Sequence, residues 1–210
     1  MRARIFLADD HSLLLDAFKK LLEPEYEVVG TATDGRMMLN MVKKLAPDLV
    51  LMDIAIPNLN GYEAGEKLKK ILPDIKLMFL TVNEDADMVA EAFRIGASGY
   101  LLKSSAASEL FQAIEAVLNS KNYVSPKLAQ SMSGAFIKNP GSQKVHGELS
   151  IRQREVLQLL AEGKTMKQVA SVLNITARTV AFHKYQIMET LDIKSNSELI
   201  QYAVKHGIVS

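Results

Sequence analysis

The chain has 210 residues, 48% of them hydrophobic and 23% charged, and no cysteine. That length allows one large domain or two small ones and that composition excludes global disorder. Disulfides, thiolate metal sites and cysteine nucleophiles are excluded too, a pattern at home in a reducing cytoplasm.

No apolar run approaches the roughly 20 residues of a membrane span. The N-terminal MRARIFLADDHS reads as a poor signal peptide, because its short apolar stretch ends in two aspartates. The net charge of +1 divides unevenly. Residues 1–120 carry 13 Lys and Arg against 18 Asp and Glu, a net of −5, whereas residues 121–210 carry 12 against 6, a net of +6. An acidic half joined to a basic half predicts two domains with different partners, the basic one a candidate for nucleic acid.

The first half alternates. Apolar runs predict strands at residues 4–8, 27–31, 49–52, 76–81 and 99–102, and helical spacing fills 12–22, 35–45, 62–71, 87–95 and 105–118. Leu14, Ala17, Phe18 and Leu21 share one face of the first helix, and Pro24, Pro47, Pro73 and Gly96 punctuate junctions. Five such repeats predict an α/β fold: a (βα)5 doubly wound domain with a mostly parallel sheet covered on both faces.

From Ser120 the pattern changes and no strand pattern follows. Ser125 and Pro126 read as the N-cap and first residue of a short helix to about residue 137. Residues 138–148, KNPGSQKVHGE, read as a flexible tether. Helical segments follow at 150–162, 166–173, 177–191 and 196–205, with Ser150 capping the first and Gly163 ending it. The divisions are therefore residues 1–120, a linker at 121–147, and an all-α four-helix domain at 148–210.

In a parallel α/β sheet, ligands bind beyond the carboxyl ends of the strands. Those ends carry Asp9 and Asp10, Asp53, Thr81 and Lys103. Three carboxylates gathered together need a cation, and an oxygen-only set suits Mg²⁺, which keeps waters and engages phosphate. Thr81 and Lys103 add nothing to a cation site but both can hold phosphate oxygens. The set fits a site where the Asp53 carboxylate attacks phosphorus and becomes an aspartyl phosphate. Singly, each residue reads as a turn former or a solvated side chain; it is the register of all five with the predicted strand ends that points to chemistry.

These residues lie in segments that resemble the receiver domain of bacterial two-component response regulators: LADDH (7–11), LVLMDIAIPNLNG (49–61), LMFLTVNED (77–85) and GASGYLLK (96–103). The resemblance implies that Asp53 is the phospho-acceptor and that Asp9, Asp10, Asp53 and the Ala55 backbone carbonyl bind Mg²⁺. It makes Thr81 and Tyr100 the switch pair, has Lys103 bond the phosphate, and fits Pro57 and Gly61 to the loop after the third strand. Strand alternation turns Tyr100 away from the face of Lys103. Ser104 stands where proline is frequent, and Val82, where Ala or Ser is frequent, narrows access to the acyl phosphate.

In the basic half, MKQVASVLNITARTVAFHKYQIMETL (166–191) reads as a helix-turn-helix. Val169, Ala170, Leu173, Ile175 and Val180 form its apolar set, Asn174 takes the turn and Thr176 caps the second helix. That helix offers Arg178, Thr179, Phe182, His183, Lys184 and Tyr185 to a major groove, and Lys167 suits a phosphate.

Residues 148–208 resemble the LuxR-type four-helix DNA-binding domain through LSIRQREVLQLLAEGKTMKQVASVL and NITARTVAFHKYQIMETLDI. Glu155, Gly163, Thr179, Val180 and His183 match characteristic positions, while Ala181 and Tyr185 depart from them. The last helix resembles the family's dimer-forming helix, with Leu199, Ile200, Ala203 and Val204 as its buried or pairing face.

Receiver followed by LuxR-type domain is the order of NarL/FixJ-type response regulators. It implies a cytoplasmic transcription regulator, not an enzyme on an external substrate, phosphorylated on Asp53 by a histidine kinase. It then dimerises and binds double-stranded DNA. Three other readings remain open. An aspartyl-phosphate hydrolase would carry a second Asp where this chain has Ala55. A nucleotide- or flavin-binding module would carry a phosphate-cradling loop where this chain has ADDHS. A phosphate-independent regulator would use its receiver only as a dimerisation platform.

Overall fold

The computed structural model describes residues 2–82, 86–105, 107–129 and 149–209. The α/β part runs β1 (Arg4–Ala8), α1 (Ser12–Leu22), β2 (Glu27–Ala32), α2 (Gly35–Leu45), β3 (Leu49–Asp53), α3 (Gly61–Ile71), β4 (Lys76–Thr81), α4 (Ala86–Arg94), β5 (Gly99–Leu102), α5 (Ala107–Leu118) and β6 (Tyr123–Val124). The helical part runs α6 (Ile151–Ala161), α7 (Met166–Leu173), α8 (Ala177–Thr190) and α9 (Asn196–Lys205). Observed ends differ from the expected ones by one or two residues, the ordinary fraying of element ends.

The strand order is β2-β1-β3-β4-β5-β6, and every pairing is parallel. Strands buried on both faces must be apolar throughout, and β3, LVLMD, is buried at every position. Alternation then sorts the core into two layers. Phe6, Val50, Met52, Phe79 and Tyr100 pack under α2, α3 and α4, while Ile5, Leu7, Leu49, Leu51, Met78 and Leu101 pack under α1 and α5.

One expectation is corrected here. Residues 123–124, assigned to a linker with no strand, form β6 and pair with Gly99 and Tyr100 of β5. Two residues are too few to show a period. The Ser125 carbonyl does accept from the Leu128 and Ala129 amides, as a first helical residue's neighbour should. Its hydroxyl also reaches beyond the helix. It accepts from the Leu102 amide (3.2 Å) and donates to Glu109 (2.6 Å), tying the segment to β5 and α5. Leu128 is fully buried in the α/β core. The remainder of the expected short helix and the tether at 138–148 lie outside the described residues.

The helical part closes around Leu149, Val156, Leu157, Val169, Leu173, Val180, Ile187 and Leu199. Ser150 and Thr165 each form a capping box, with Gln153 and Gln168 respectively. Thr176 caps α8 by accepting from the Thr179 amide. Asn174 takes the left-handed conformation that a helix-turn-helix turn needs, at φ 53°.

Candidate functional site

The helices that follow β1 and β3 cover opposite faces of the sheet, so the chain diverges there and leaves a crevice at the strands' carboxyl ends. Asp9 lies just beyond β1, its amide donating to the Ala32 carbonyl at 3.1 Å. Asp53 ends β3, and its Oδ1 accepts from the Ile54 amide at 2.7 Å. Lys103 follows β5, anchored by its amide on the Thr81 carbonyl at 2.7 Å. The Lys103 ammonium lies 2.6 Å from Asp9 Oδ2 and 2.9 Å from Asp53 Oδ2. It therefore bridges two carboxylates that are both buried.

Burial pushes the Asp53 carboxyl up from its ordinary value; Lys103 pulls against that shift and Asp9 adds to it. Burial also works against the Lys103 ammonium, but the hydrogen bonds and charges of Asp9 and Asp53 outweigh it, and its pKa is raised.

Asp9, Asp10 and His11 offer ligand atoms within 4.8 Å of one another. His11 donates its amide to Asp9 Oδ1 at 2.9 Å, and its Nδ1 lies 2.8 Å from Asp10 Oδ1. Asp53 stands outside that tight group and is tied to it by Lys103. Three carboxylates against one ammonium leave the edge negative, and the donors are mainly oxygen. Such a set fits a hard divalent cation such as Mg²⁺, which would supply charge neutralisation for a transferring phosphoryl group. Thr81 is buried at the end of β4, Val82 beside it is 81% exposed, and Tyr100 is fully buried in the layer under α2, α3 and α4.

On α8, Arg178, Phe182 and Tyr185 recur at i, i+4 and i+7, and all three are exposed. They form one open stripe on the second helix of the helix-turn-helix. Lys167 is exposed at the start of α7, and Lys184, Thr179 and His183 are partly buried. The Thr179 hydroxyl is 2.9 Å from that of Thr176, so it is engaged in the cap. His183 Nδ1 is buried without a hydrogen-bond partner among the described residues, which makes that side of the ring a packing group. On α9, Leu199 and Ala203 are buried whereas Ile200 and Val204 are exposed, which divides the four residues of the expected pairing face.

Comparison with known proteins accounts for both halves. The family model for the response regulator receiver domain matches residues 5–115. The model for bacterial regulatory proteins of the luxR family matches residues 147–203. The oxygen regulatory protein NreC of Staphylococcus carnosus is 34% identical over 214 residues, spanning 98% of this chain and 99% of its own. The chain belongs to the NarL/FixJ-type two-component response regulators.

The transcriptional regulatory protein DegU of Brevibacillus brevis is 32% identical over 225 residues, 99% of this chain and 95% of its own. A LuxR-family response regulator from Aurantimonas sp. SI85-9A1 is similar in structure at TM-score 0.63 and 34% identity, over 65% of this chain and 99% of that one. RcsB of Salmonella typhimurium shares the fold at TM-score 0.69 and 24% identity over 98% of each chain. The family consists of transcription regulators rather than classical enzymes. Among the described residues no helix is long and apolar enough to cross a membrane.

This response regulator also joins its two parts through α6, a contact the sequence did not reveal. Gln158 Nε2 donates to the Ile56 carbonyl (2.8 Å), and its Oε1 accepts from the Asn60 amide (2.6 Å). Glu162 accepts from the Asn58 amide at 3.1 Å. Arg154 pairs with Glu91 of α4 at 2.9 Å, and Glu155 pairs with Lys67 of α3. The only signal in the sequence was a run of polar residues at 154, 155, 158 and 162 on α6, and such a stripe reads equally well as a solvated face. His11 was also missed as a partner of the acidic pair, although it stands next to it in LADDH.

Glu63 of α3 lies under this contact, 1% exposed, with neither carboxylate oxygen hydrogen-bonded among the described residues. Burial raises its pKa from 4.5 to about 8, opposed by Arg154 and Lys67 and reinforced by Glu155. The groups around it are Arg154 and Glu155 from α6 and Lys67 from its own helix, with Arg36 of α2 beside Glu155 and Glu91 of α4 on Arg154. A carboxyl whose pKa is raised in the folded state favours that state fully below its ordinary value, and the advantage is lost as pH rises through about 8. Glu91 and Glu155 are shifted down, so their contribution is lost below the ordinary carboxylate range. Unfolding by urea is therefore expected to give greatest stability near pH 5, with a decline of at most about 5 kcal/mol by pH 8. Glu63→Gln is expected to flatten that decline; an equally steep profile in the variant would contradict it.

Proposed function

We propose that this chain is a cytoplasmic, phosphorylation-controlled transcription regulator. Residues 1–120 act as receiver, with β6 and the buried Leu128 of the following segment packed on it, the rest of 121–147 as linker and 148–210 as the DNA-binding domain. A partner histidine kinase supplies the phosphoryl group. An Asp53 carboxylate oxygen bonds to phosphorus while the bond from phosphorus to the donor's nitrogen breaks, and the donor keeps that electron pair. Water later cleaves the acyl phosphate, returning the carboxylate and inorganic phosphate.

Asp9 and Asp10, with Asp53 and the Ala55 carbonyl, would hold Mg²⁺. Lys103 and Thr81 would bind the phosphoryl oxygens, and Tyr100 would follow Thr81 as the switch. The observation that carries this reading is the Lys103 bridge between Asp53 and Asp9 at the sheet's switch point. It puts an attacking carboxylate, a phosphate-binding cation and an acidic cation site within one crevice.

The test is intact mass after incubation with Mg²⁺ and phosphoramidate. One phosphoryl adduct is expected on the native chain and none on Asp53→Ala. An adduct that persists in the variant, or no adduct where a control receiver is labelled, would overturn the reading.

Phosphorylation would lead to a homodimer that presents two α8 helices to a two-fold site on double-stranded DNA. The exposed stripe of Arg178, Phe182 and Tyr185 supports α8 as the base-reading element. Lys167, Thr179, His183 and Lys184 would face the backbone. On DNA selected from a random pool, Arg178→Ala is expected to cost about 1–3 kcal/mol and to relax sequence preference. Lys167→Ala is expected to weaken binding evenly across sequences and to lower the salt slope by about 1. Unchanged anisotropy titrations for both would contradict this assignment.

A further inference from the structure

The open stripe of α8 runs through Arg178, Phe182, Tyr185 and Glu189, all exposed. Its middle is aromatic. Phe182 is 57% exposed and Tyr185 66%, and among the described residues neither belongs to the apolar cluster that closes the helical part. A single exposed apolar side chain needs no explanation. Two large rings in the middle of a face that reads base edges need one, because a phenyl ring makes no hydrogen bond to a base.

The major groove displays donors and acceptors at every base pair but only one apolar group, the C5 methyl of thymine. A phenyl ring laid over the polar atoms of a base edge strips their water and returns nothing. Laid over a methyl group, it removes two apolar surfaces from water at once. Arg178 offers the opposite chemistry, a planar fork that matches guanine O6 and N7. It stands one turn before Phe182, about 6 Å along the helix axis. In a duplex with roughly 3.4 Å per base pair, that separation spans about two base steps.

The rest of the surface fits the same ligand. Tyr185 extends the apolar surface by one turn, and its hydroxyl suits a phosphate oxygen. Glu189 is anionic and repels phosphate, so the reading part of the stripe ends before it. Lys167 and Lys184 flank the stripe, and the net charge of +6 over residues 121–210 suits a polyanion.

We propose that Phe182 is a specificity-determining residue that reads the C5 methyl group of a pyrimidine in the major groove, about two base pairs from a guanine held by Arg178. This rests on the reading of α8 as the base-reading element. Each half-site then contains one thymine chosen for its methyl group rather than for its hydrogen-bonding edge.

The test uses the full chain, with phosphoramidate and Mg²⁺ present, and a duplex that it selects from a random pool. Each thymine is replaced in turn by deoxyuridine, which removes the methyl group and keeps every hydrogen-bonding atom. Fluorescence anisotropy gives the affinities of the native chain, Phe182→Ala, Phe182→Leu and Arg178→Ala. Phe182 lies outside the core, so its substitution leaves the fold intact, and thermal unfolding checks this.

One position in each half-site is expected to lose about fourfold with deoxyuridine, the worth of one buried methyl-sized group. Phe182→Ala is expected to bind the thymine and deoxyuridine duplexes equally at that position, and Phe182→Leu to keep the difference. Cytosine and 5-methylcytosine placed there separate the methyl group from the base that carries it. The methylated duplex is expected to bind tighter by a similar factor.

Equal affinity for thymine and deoxyuridine at every position would overturn the proposal. A difference that Phe182→Ala retains would do the same, as would no gain from 5-methylcytosine. No enriched duplex, or an Arg178→Ala variant that binds as the native chain does, would instead remove the reading of α8 on which the proposal stands.

Discussion

Lys103→Met is expected to destabilise the receiver by about 3 kcal/mol in EDTA at pH 7, and to abolish the phosphoryl adduct. The ammonium sits 2.6 Å and 2.9 Å from two carboxylates that are each almost fully enclosed. Removing it leaves Asp9 and Asp53 charged, buried and facing one another. The loss of a buried partner costs far more than the pair's net worth, because the remaining charge keeps its desolvation penalty. Proton uptake by one carboxyl limits the damage, which is why the expected loss lies at the lower end for such breaks. Mg²⁺ at millimolar concentration is expected to restore part of the stability but not the adduct, since a cation can neutralise the site without taking the place of the Lys103 ammonium between the two carboxylates. Urea unfolding with EDTA and with Mg²⁺ measures both. A variant as stable as the native chain in EDTA would mean that the acidic edge does not depend on Lys103.

Gly61→Ala is expected to cost about 3 kcal/mol and to slow phosphorylation at least tenfold. A Cβ on Gly61 would stand 2.5 Å from the Asp53 carbonyl oxygen and 2.8 Å from the Ile54 Cα. Both are backbone atoms of the strand end that carries Asp53, so no side chain can turn aside. The Gly61 amide also donates to the Ile54 carbonyl at 2.7 Å, which pins the start of α3 against β3. Relief requires shifting the loop itself, and with it the Asp53 backbone. Thermal unfolding and the rate of adduct formation read the two effects. Native values in both would show that the loop has slack.

Much of this was legible because periodicity and strand-end chemistry are local. The sheet follows from five apolar runs, and the crevice from the rule that ligands sit at carboxyl ends. Asp9, Asp10, Asp53, Thr81 and Lys103 could be singled out because each ends or follows a predicted strand. What the sequence withheld depends on partners far along the chain. Strand β6 is two residues long and is defined only by its pairing with β5. Ser125 was legible as a cap from its place before Pro126, but the reach of its hydroxyl to Leu102 and Glu109 was not. Gln158 is an unremarkable polar residue on a helix until the loop at 56–60 meets it. Glu63 shows the same limit: a Glu in a first helical turn reads as a favourable dipole partner, and only the docked α6 makes it a buried acid.

The central claim is that the state of Asp53 controls DNA binding through α8. The most direct measurement is the affinity and stoichiometry of the full chain on one DNA selected from a random pool. It is made at two salt concentrations, with and without phosphoramidate and Mg²⁺, for the native chain and Asp53→Ala. Phosphorylation is expected to tighten native binding at least tenfold, with two chains per site, and to leave Asp53→Ala unchanged. Equal affinity of the native chain in both states, or the same gain in Asp53→Ala, would contradict it.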